Sequence, residues 1–282
     1  MSTSPSVSLI VTTYNWPEAL DRVLMALNRQ RVTSPLEVIV ADDGSTQMTA
    51  DLIARYKRQF NFPLYHVWQP DEGFQAAKIR NRAIAKAQHD YVIFLDGDCQ
   101  PLADFVSNHV KLANKGWFVF GNRVLLSRSF SSTLLSHTYD FEALNAFRLI
   151  QKRLKGQINR LLPFLRVPLG PLRRCQPNRW KGVKTCNLAV WRDDLVAVNG
   201  LEEAFTGWGY EDSDLVLRLQ KFGVKCKDGR FSVPVIHFWH EEQDRSLAAD
   251  NWNRLTETFH QATFRAVKGV SQYLTKVHHA IC

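Results

Sequence analysis

Long apolar runs are missing from this sequence. None reaches the roughly 18 residues of a membrane-spanning helix, which excludes an integral helical membrane protein. Cysteine is scarce and shows no pairing pattern: Cys99, Cys175, Cys186, Cys226 and Cys282 form no CxxC and leave one odd. Neither a zinc ribbon nor a disulfide scaffold is expected, and a reducing, cytoplasmic compartment is. The first residues, Met1 to Pro5, place no basic stretch ahead of an apolar one, so no signal peptide is expected. No Gly-rich phosphate loop opens the chain, and no internal repeat or low-complexity stretch follows. Acidic residues are absent altogether between Glu142 and Asp193.

What is present is globular. Of 282 residues, 45% are hydrophobic and 22% charged, which excludes disorder and suffices for a sizeable core. The formal net charge of +9 favours an anionic partner. Its excess is concentrated, because Arg148, Lys152, Arg153, Lys155, Arg160 and seven further basic residues as far as Arg192 share the stretch that has no acid.

The first half alternates two periodicities. Residues 7–12 (VSLIVT), 36–41 (LEVIVA), 64–68 (LYHVW) and 91–95 (YVIFL) read as strands, the last apolar throughout as in a strand covered on both faces. Pro17 followed by Ala19, Leu20, Val23, Leu24 and Leu27 marks a first helix, Leu52, Ile53 and Tyr56 a second, and residues 75–87 a third. This alternation predicts an α/β fold with a mainly parallel, Rossmann-like sheet flanked by helices. Ligands of such sheets bind beyond the carboxyl ends of the strands, where Asn15, Asp42, Asp43, Asp96 and Asp98 fall. Further on, Phe147, Ile150, Leu154, Ile158 and Leu161 predict one amphipathic helix over residues 141–161, with Arg148, Lys152, Lys155 and Arg160 on its other side. Pro163, Pro168 and Pro171 break the chain. A strand over 185–191, a short helix from Asp193, a helix over 212–221, a strand over 231–236 and a polar helix from about 246 complete the reading.

Several residues at these strand ends carry chemistry. Asp96-x-Asp98 places two carboxylates where a buried strand opens, and they repel each other unless a cation or a ligand neutralises them. Mn²⁺ or Mg²⁺ takes such oxygen ligands and bridges them to a diphosphate. A lone DxD is more often a solvated turn, and the surrounding residues are what favour the cation. Asp42 is placed to accept the imide proton of a uracil, or else to cap a helix. Arg80 and Asn81, with Lys78 and Arg82, face a diphosphate or form a solvated basic face. His237-x-x-His240 follows a strand, so both imidazoles can reach the cation held by Asp98, unless one merely packs beside Phe238 and Trp239. Glu211-Asp212 opens a helix whose N-terminus favours anions, as a cap would. Trp208 and Tyr210 beside that pair predict a flat sugar platform, with one acid removing a proton from an attacking hydroxyl.

Taken together, VTTYN (11–15), EVIVADDGST (37–46), DEGFQAAKIRNRAI (71–84) and YVIFLDGDC (91–99) resemble the nucleotide-sugar half of family 2 glycosyltransferases with the GT-A fold. FTGWGYEDSDLVLRL (205–219) and HFWH (237–240) resemble the acceptor half shared by β-1,4-galactosyltransferases, chondroitin-polymerase modules and polypeptide N-acetylgalactosaminyltransferases. The likeness covers residues 6–125 and 181–245. It implies a nucleotide-sugar-binding half (1–125), a basic insertion (126–180), a smaller acceptor and catalytic half (181–245) and a helical tail (246–282). It implies that Thr13, Asn15 and Asp42 hold base and ribose, that Asp96 meets ribose or metal, and that Asp98 and His240 ligate Mn²⁺ or Mg²⁺. It further implies that Asp212 is the base of an inverting displacement, with Glu211 and Trp208 at the acceptor. The sequence departs from the galactosyltransferase pattern at His237, where Met is usual, and at Tyr210, where Gly is usual.

The expected activity is transfer of a sugar, from a UDP-sugar above all, to a hydroxyl of a glycan or glycolipid such as a cell-surface polysaccharide or lipopolysaccharide. A nucleotidyltransferase acting on sugar phosphates would share the α/β domain and paired aspartates, but leaves Trp208 and Glu211-Asp212 unused. A nucleic-acid-binding protein would use the basic segment but has no motif in its favour, and no nucleic acid is expected. The helix at 141–161 reads equally as an anchor on an anionic membrane, at the inner face of the cell membrane, and as a packed helix with a solvated basic face. A cleft for a phosphorylated acceptor is a third reading of the same segment.

Overall fold

The computed structural model describes residues 4–136, 141 and 144–274. Its amino-terminal half runs β1 (Val7–Thr13), α1 (Pro17–Asn28), β2 (Leu36–Asp42), α2 (Gln47–Lys57), β3 (Leu64–Trp68), α3 (Ala76–Lys86), β4 (Tyr91–Asp96), β5 (Cys99–Pro101), α4 (Phe105–Leu112), β6 (Trp117–Phe120) and β7 (Arg123–Leu125). Then follow α5 (Arg128–Ser136), α6 (Ala146–Leu154), β8 (Asn187–Trp191), α7 (Arg192–Ala197), α8 (Glu211–Lys221), β9 (Lys225–Asp228), β10 (Val235–His237) and α9 (Ala248–His260). A seven-stranded sheet has the order β3-β2-β1-β4-β8-β6-β9, and a three-stranded sheet the order β5-β10-β7. In the larger sheet only β8 runs against its neighbours.

The period-2 alternation of the strands divides the core. Val7, Leu9 and Val11 point to one face, against Leu20, Leu24 and Leu27 of α1 and Ile53 of α2. Ile10, Ile39 and Phe94 point to the other, against Ile79 and Ile84 of α3 and Leu215 and Leu219 of α8. All of these are essentially inaccessible to solvent, and each contributes about 1.5–3 kcal/mol by leaving water. The two halves implied by the sequence share this one sheet, since β8 lies between β4 and β6 and β9 forms its edge. The tail is likewise built in: Val270 is fully buried in the second core cluster.

Two expectations need correction. The helix expected over 141–161 is only α6, capped by the Asn145 side chain accepting from the Arg148 N–H and ended before Gly156 (φ +66°). Ile158 lies beyond it, buried in a bridge to Leu126, while Phe147, Ile150 and Leu154 stand in solvent. Glu142 and Ala143 lie outside the described residues. The strand expected over 231–236 starts only at Val235, because Phe231 adopts a left-handed φ of +64° and Pro234 has no N–H to donate. Among the described residues no helix is long and apolar enough to cross a membrane.

His109 on α4 pins the antiparallel strand. It is fully buried against Phe105, and its Nε2 meets Asn187 Oδ1 at 3.2 Å, while Asn187 Nδ2 donates to Val233 O at 2.6 Å. Gly121 makes room for this side chain, since a Cβ there would come within 2.2 Å of Asn187 Nδ2. Burial pushes the imidazole down to about 3, only partly offset by Asn187. The folded protein therefore holds His109 neutral, and the unfolded chain takes up a proton below about pH 6.5. Wild-type stability is expected to fall as pH drops from about 6.5 towards 3, by up to ~1.4 kcal/mol per unit from this group. In urea titrations, the stability gap between wild type and His109→Gln should narrow over that range.

Candidate active site

The cation-binding end is built by strand register. β4 ends at Asp96, and Gly97 donates its N–H to Thr12 O at 2.7 Å, laying the turn against β1. β5 and β10 pair antiparallel with Cys99 opposite His237, and Phe238 N donates to Asp98 O at 3.0 Å. That register brings His237 Nε2 to 3.4 Å and His240 Nε2 to 3.3 Å from Asp98 Oδ2. His240 Nδ1 donates to Glu241 O at 2.6 Å, which directs Nε2 towards the carboxylate. Burial would raise Asp98, but His237 and His240 outweigh it and hold the carboxyl below its ordinary range. The bond from Asp98 lifts His240 to about 8 against the opposing effect of burial, whereas burial lowers His237. A carboxylate oxygen with an imidazole nitrogen on either side is the kind of donor set that a first-row dication takes, and Asp98, Cys99 and His237 bring their ligand atoms within 4.8 Å of one another. Cys99 reaches the same point, but burial pushes its thiol well up, so it stays protonated and donates to Asp98 Oδ1 at 3.3 Å.

The second carboxylate pair is joined to the first by Arg80. This buried α3 side chain donates from Nε to Thr12 Oγ1 at 3.1 Å and from Nη2 to Asp96 Oδ1 at 3.0 Å, with Nη1 3.7 Å from Glu211 Oε1. Burial pushes Asp96 up to about 6, opposed by Arg80 and reinforced by Asp98 and Asp212. Burial likewise pushes Glu211 up to about 7, with Asp212 adding to it and Arg80 opposing. Asp212 accepts from Thr185 Oγ1 at 2.5 Å through Oδ1. Half-buried Arg123 of β7 brings further positive charge: burial opposes its charged form, and Asp96 and Asp98 favour it. Trp208 lies close by in the chain, with the Arg245 guanidinium 4.7 Å and Lys184 Nζ 5.6 Å from its ring.

The structure therefore brings together Asp96, Asp98, His237, His240, Arg80, Glu211 and Asp212, and treats three other expected site residues differently. Asn81 is fully buried, and its amide is spent within the fold. Its Nδ2 donates to Leu201 O and Glu203 Oε1, and its Oδ1 accepts from Leu201 N, so it clamps α3 to the loop before α8. Asp42 is also fully buried, with Oδ1 accepting from Ser45 N at 2.8 Å and Oδ2 2.9 Å from His66 Nε2. Oδ1 thus holds the turn after β2 and Oδ2 ties the strand to β3, so the carboxylate is engaged within the fold. Tyr210 takes a left-handed φ of +70°, which explains why Gly is usual there. Its ring packs on Trp252 at 5.3 Å and against the cluster of Phe205, Leu217 and Leu255, so it supports α9 instead of widening a platform. Thr13 is nearly buried beside Gly97, and Asn15 lies exposed at the strand end, its Oδ1 accepting from Thr46 N. Sequence reasoning missed Thr12, Arg123 and Thr185, whose partners lie on other elements, and Cys99, whose thiol meets the adjacent Asp98. It also passed over Tyr14, which is exposed in the VTTYN run and donates to Asp71 Oδ2 at 2.9 Å.

The glycosyl transferase family 2 model matches residues 8–168, more than half of the sequence, and the model described as the N-terminal domain of galactosyltransferase matches residues 175–241. The chain belongs to glycosyl transferase family 2. It is 32% identical to validoxylamine A glucosyltransferase of Streptomyces hygroscopicus subsp. limoneus over 237 residues, 81% of this chain and 51% of that one. It is 27% identical to the chondroitin synthase of Escherichia coli over 257 residues, 84% of this chain and 34% of that one. The chain thus spans about half the length, or less, of these relatives. A mannosyltransferase from Pyrobaculum calidifontis, solved with GDP-Man and Mn²⁺, superposes with a TM-score of 0.61 at 19% identity, covering 93% of this chain and 65% of that one. The fold is that of the GT-A glycosyltransferases, as the sequence implies.

Glu211 offers a check on the electrostatics of the cluster. Its folded value near 7 lies above its ordinary value of about 4.5, so its contribution to stability is complete below about 4.5 and is lost as pH rises through 7. Glu211→Gln has no such loss. Its melting temperature relative to wild type is expected to rise steadily across that interval, as read by differential scanning calorimetry.

Proposed function

We propose that this protein is an inverting glycosyltransferase that moves a sugar from a UDP-sugar to a hydroxyl of a glycan or glycolipid acceptor. The observation that supports it most is Arg80, within 3.0 Å of Asp96 and 3.7 Å of Glu211, which makes the carboxylates at the end of β4 and the start of α8 one cluster. A donor bound at the first group then lies beside a base in the second. Asp98 with His240 and His237 would hold Mn²⁺ or Mg²⁺, which when bound neutralises charge on the departing diphosphate. The Mn²⁺ and GDP-Man of the Pyrobaculum enzyme agree with such a donor site.

Asp212 acts as general base in this reading. Thr185 occupies its Oδ1 and fixes the carboxylate, so that Oδ2 takes the proton of the acceptor hydroxyl. The freed oxygen attacks the anomeric carbon as the bond to the nucleoside diphosphate breaks on the opposite face, which inverts the configuration. Glu211 and Trp208 orient the acceptor, Thr13 and Asn15 contact the nucleoside, Asp96 its ribose, and Arg80 the diphosphate. Asp42 and Asn81 act at one remove, by holding the loops that carry these groups. A cytoplasmic location suits Cys175, a free thiol exposed to solvent.

The test is a donor screen of the purified full chain with Mn²⁺ or Mg²⁺, reading released nucleoside diphosphate. UDP-sugars should be turned over, and turnover of GDP-sugars alone would replace the donor named here. Asp212→Asn should lower transfer by roughly 10²–10⁴-fold while leaving UDP-sugar affinity within about twofold, as measured by calorimetry. A variant with full turnover would remove Asp212 from its role. Asp98→Ala should weaken UDP binding about tenfold or more when the metal is present and scarcely at all in excess chelator.

A further inference from the structure

We infer that α6 is a docking surface for a membrane leaflet rich in anionic lipid, a reading that does not depend on the catalytic one. An amphipathic surface helix ordinarily turns its apolar stripe to the core. α6 does the reverse. None of its residues is buried, and Phe147, Ile150 and Leu154 are 66%, 47% and 81% exposed. At 3.6 residues per turn these three lie within about 60° of arc. Leu149, on the far side of the helix, packs against the third core cluster with Phe130 and Phe141, so the helix is seated on the protein and its stripe still faces outward. Lys152 extends back over the Phe130 ring at 4.3 Å, while Arg148 and Arg153 flank the stripe. The same acid-free stretch adds Leu162, Leu165 and Leu172, at 63%, 51% and 65% exposure.

Charge and apolarity together select the occupant. Arg148, Lys152, Arg153 and Lys155 on and beside α6, with no acid in the sequence from residue 143 to 192, favour an anionic partner. A polyanionic glycan or a nucleic acid would meet the charges but offer nothing to Phe147, Ile150 and Leu154. A second copy of the chain would set like charges against each other. A bilayer with anionic headgroups supplies both, taking the stripe at the headgroup boundary while the flanking arginines stay among the phosphates. α6 is packed through Leu149, yet its apolar stripe stands in solvent along with Arg148 and Arg153, which a simply packed helix leaves unexplained.

Flotation of the full chain with vesicles of phosphatidylcholine alone, and of phosphatidylcholine mixed with phosphatidylglycerol, tests this. Binding to the mixed vesicles and little to the neutral ones is expected. The triple variant Phe147→Ser, Ile150→Ser, Leu154→Ser changes only exposed side chains, so its melting temperature and its turnover of a water-soluble acceptor should match wild type. Its partition onto mixed vesicles should fall about tenfold or more. Arg148→Glu with Arg153→Glu should weaken the same partition while the apolar stripe is intact. Failure of wild type to bind mixed vesicles would overturn the inference. So would a triple variant that binds as wild type does, or one that converts a wild-type dimer to a monomer in sedimentation.

Discussion

Four carboxylates crowd one end of the sheet, and their mutual repulsion in a partly dry site is the constraint on which the rest depends. Asp96 and Glu211 are both driven towards protonation by burial, and each is eased by Arg80. Arg80 is the only side chain among the described residues with ion-pair contacts to both carboxylate pairs. Arg123 and His240 supply further positive charge at the Asp96–Asp98 end. Repulsion that the protein leaves only partly answered favours a cationic ligand at Asp98 and a hydroxyl, not a second anion, beside Asp212.

The sheet exists in a form that serves this cluster. Strands β1, β2 and β4 deliver their carboxyl ends side by side, with Thr13 in register with Asp42 and Thr12 with Asp96. Inserting β8 antiparallel beside β4 brings Thr185 and the start of α8 to the same end. The small sheet does the equivalent work for the imidazoles, since a shift of one residue between β5 and β10 would turn His237 to the opposite face.

Much of this is legible in the chain itself, for definable reasons. The run YVIFL is apolar throughout because β4 is covered on both faces, and the carboxylates stand out against it. HFWH and YED are legible because imidazoles and paired acids are scarce in cores. What periodicity does not report is direction. Asn81 follows Arg80 directly on α3, yet one enters the site and the other clamps a loop, and their partners lie more than a hundred residues apart for Asn81 and only sixteen for the Asp96 contact of Arg80. That Asp42 also serves the fold is not legible, because His66, which meets its Oδ2, is on another strand. The apolar spacing around α6 correctly announces a helix and says nothing about which side is wet.

The Asn81 clamp has a mechanical meaning. Leu201 and Glu203, its partners, are tied in turn to the chain's last described stretch, through Glu203 N to Lys268 O and the Tyr273 hydroxyl to Glu203 Oε2. Arg218 of α8 grips the same loop through Val198 O and Gly200 O. α3 and α8, which carry Arg80 and Asp212, are thus riveted to one strut behind the reaction centre. In the proposed reaction the Arg80 guanidinium is in place before the substrate arrives, so the energy of arranging these charges is spent when the chain folds instead of at each turnover.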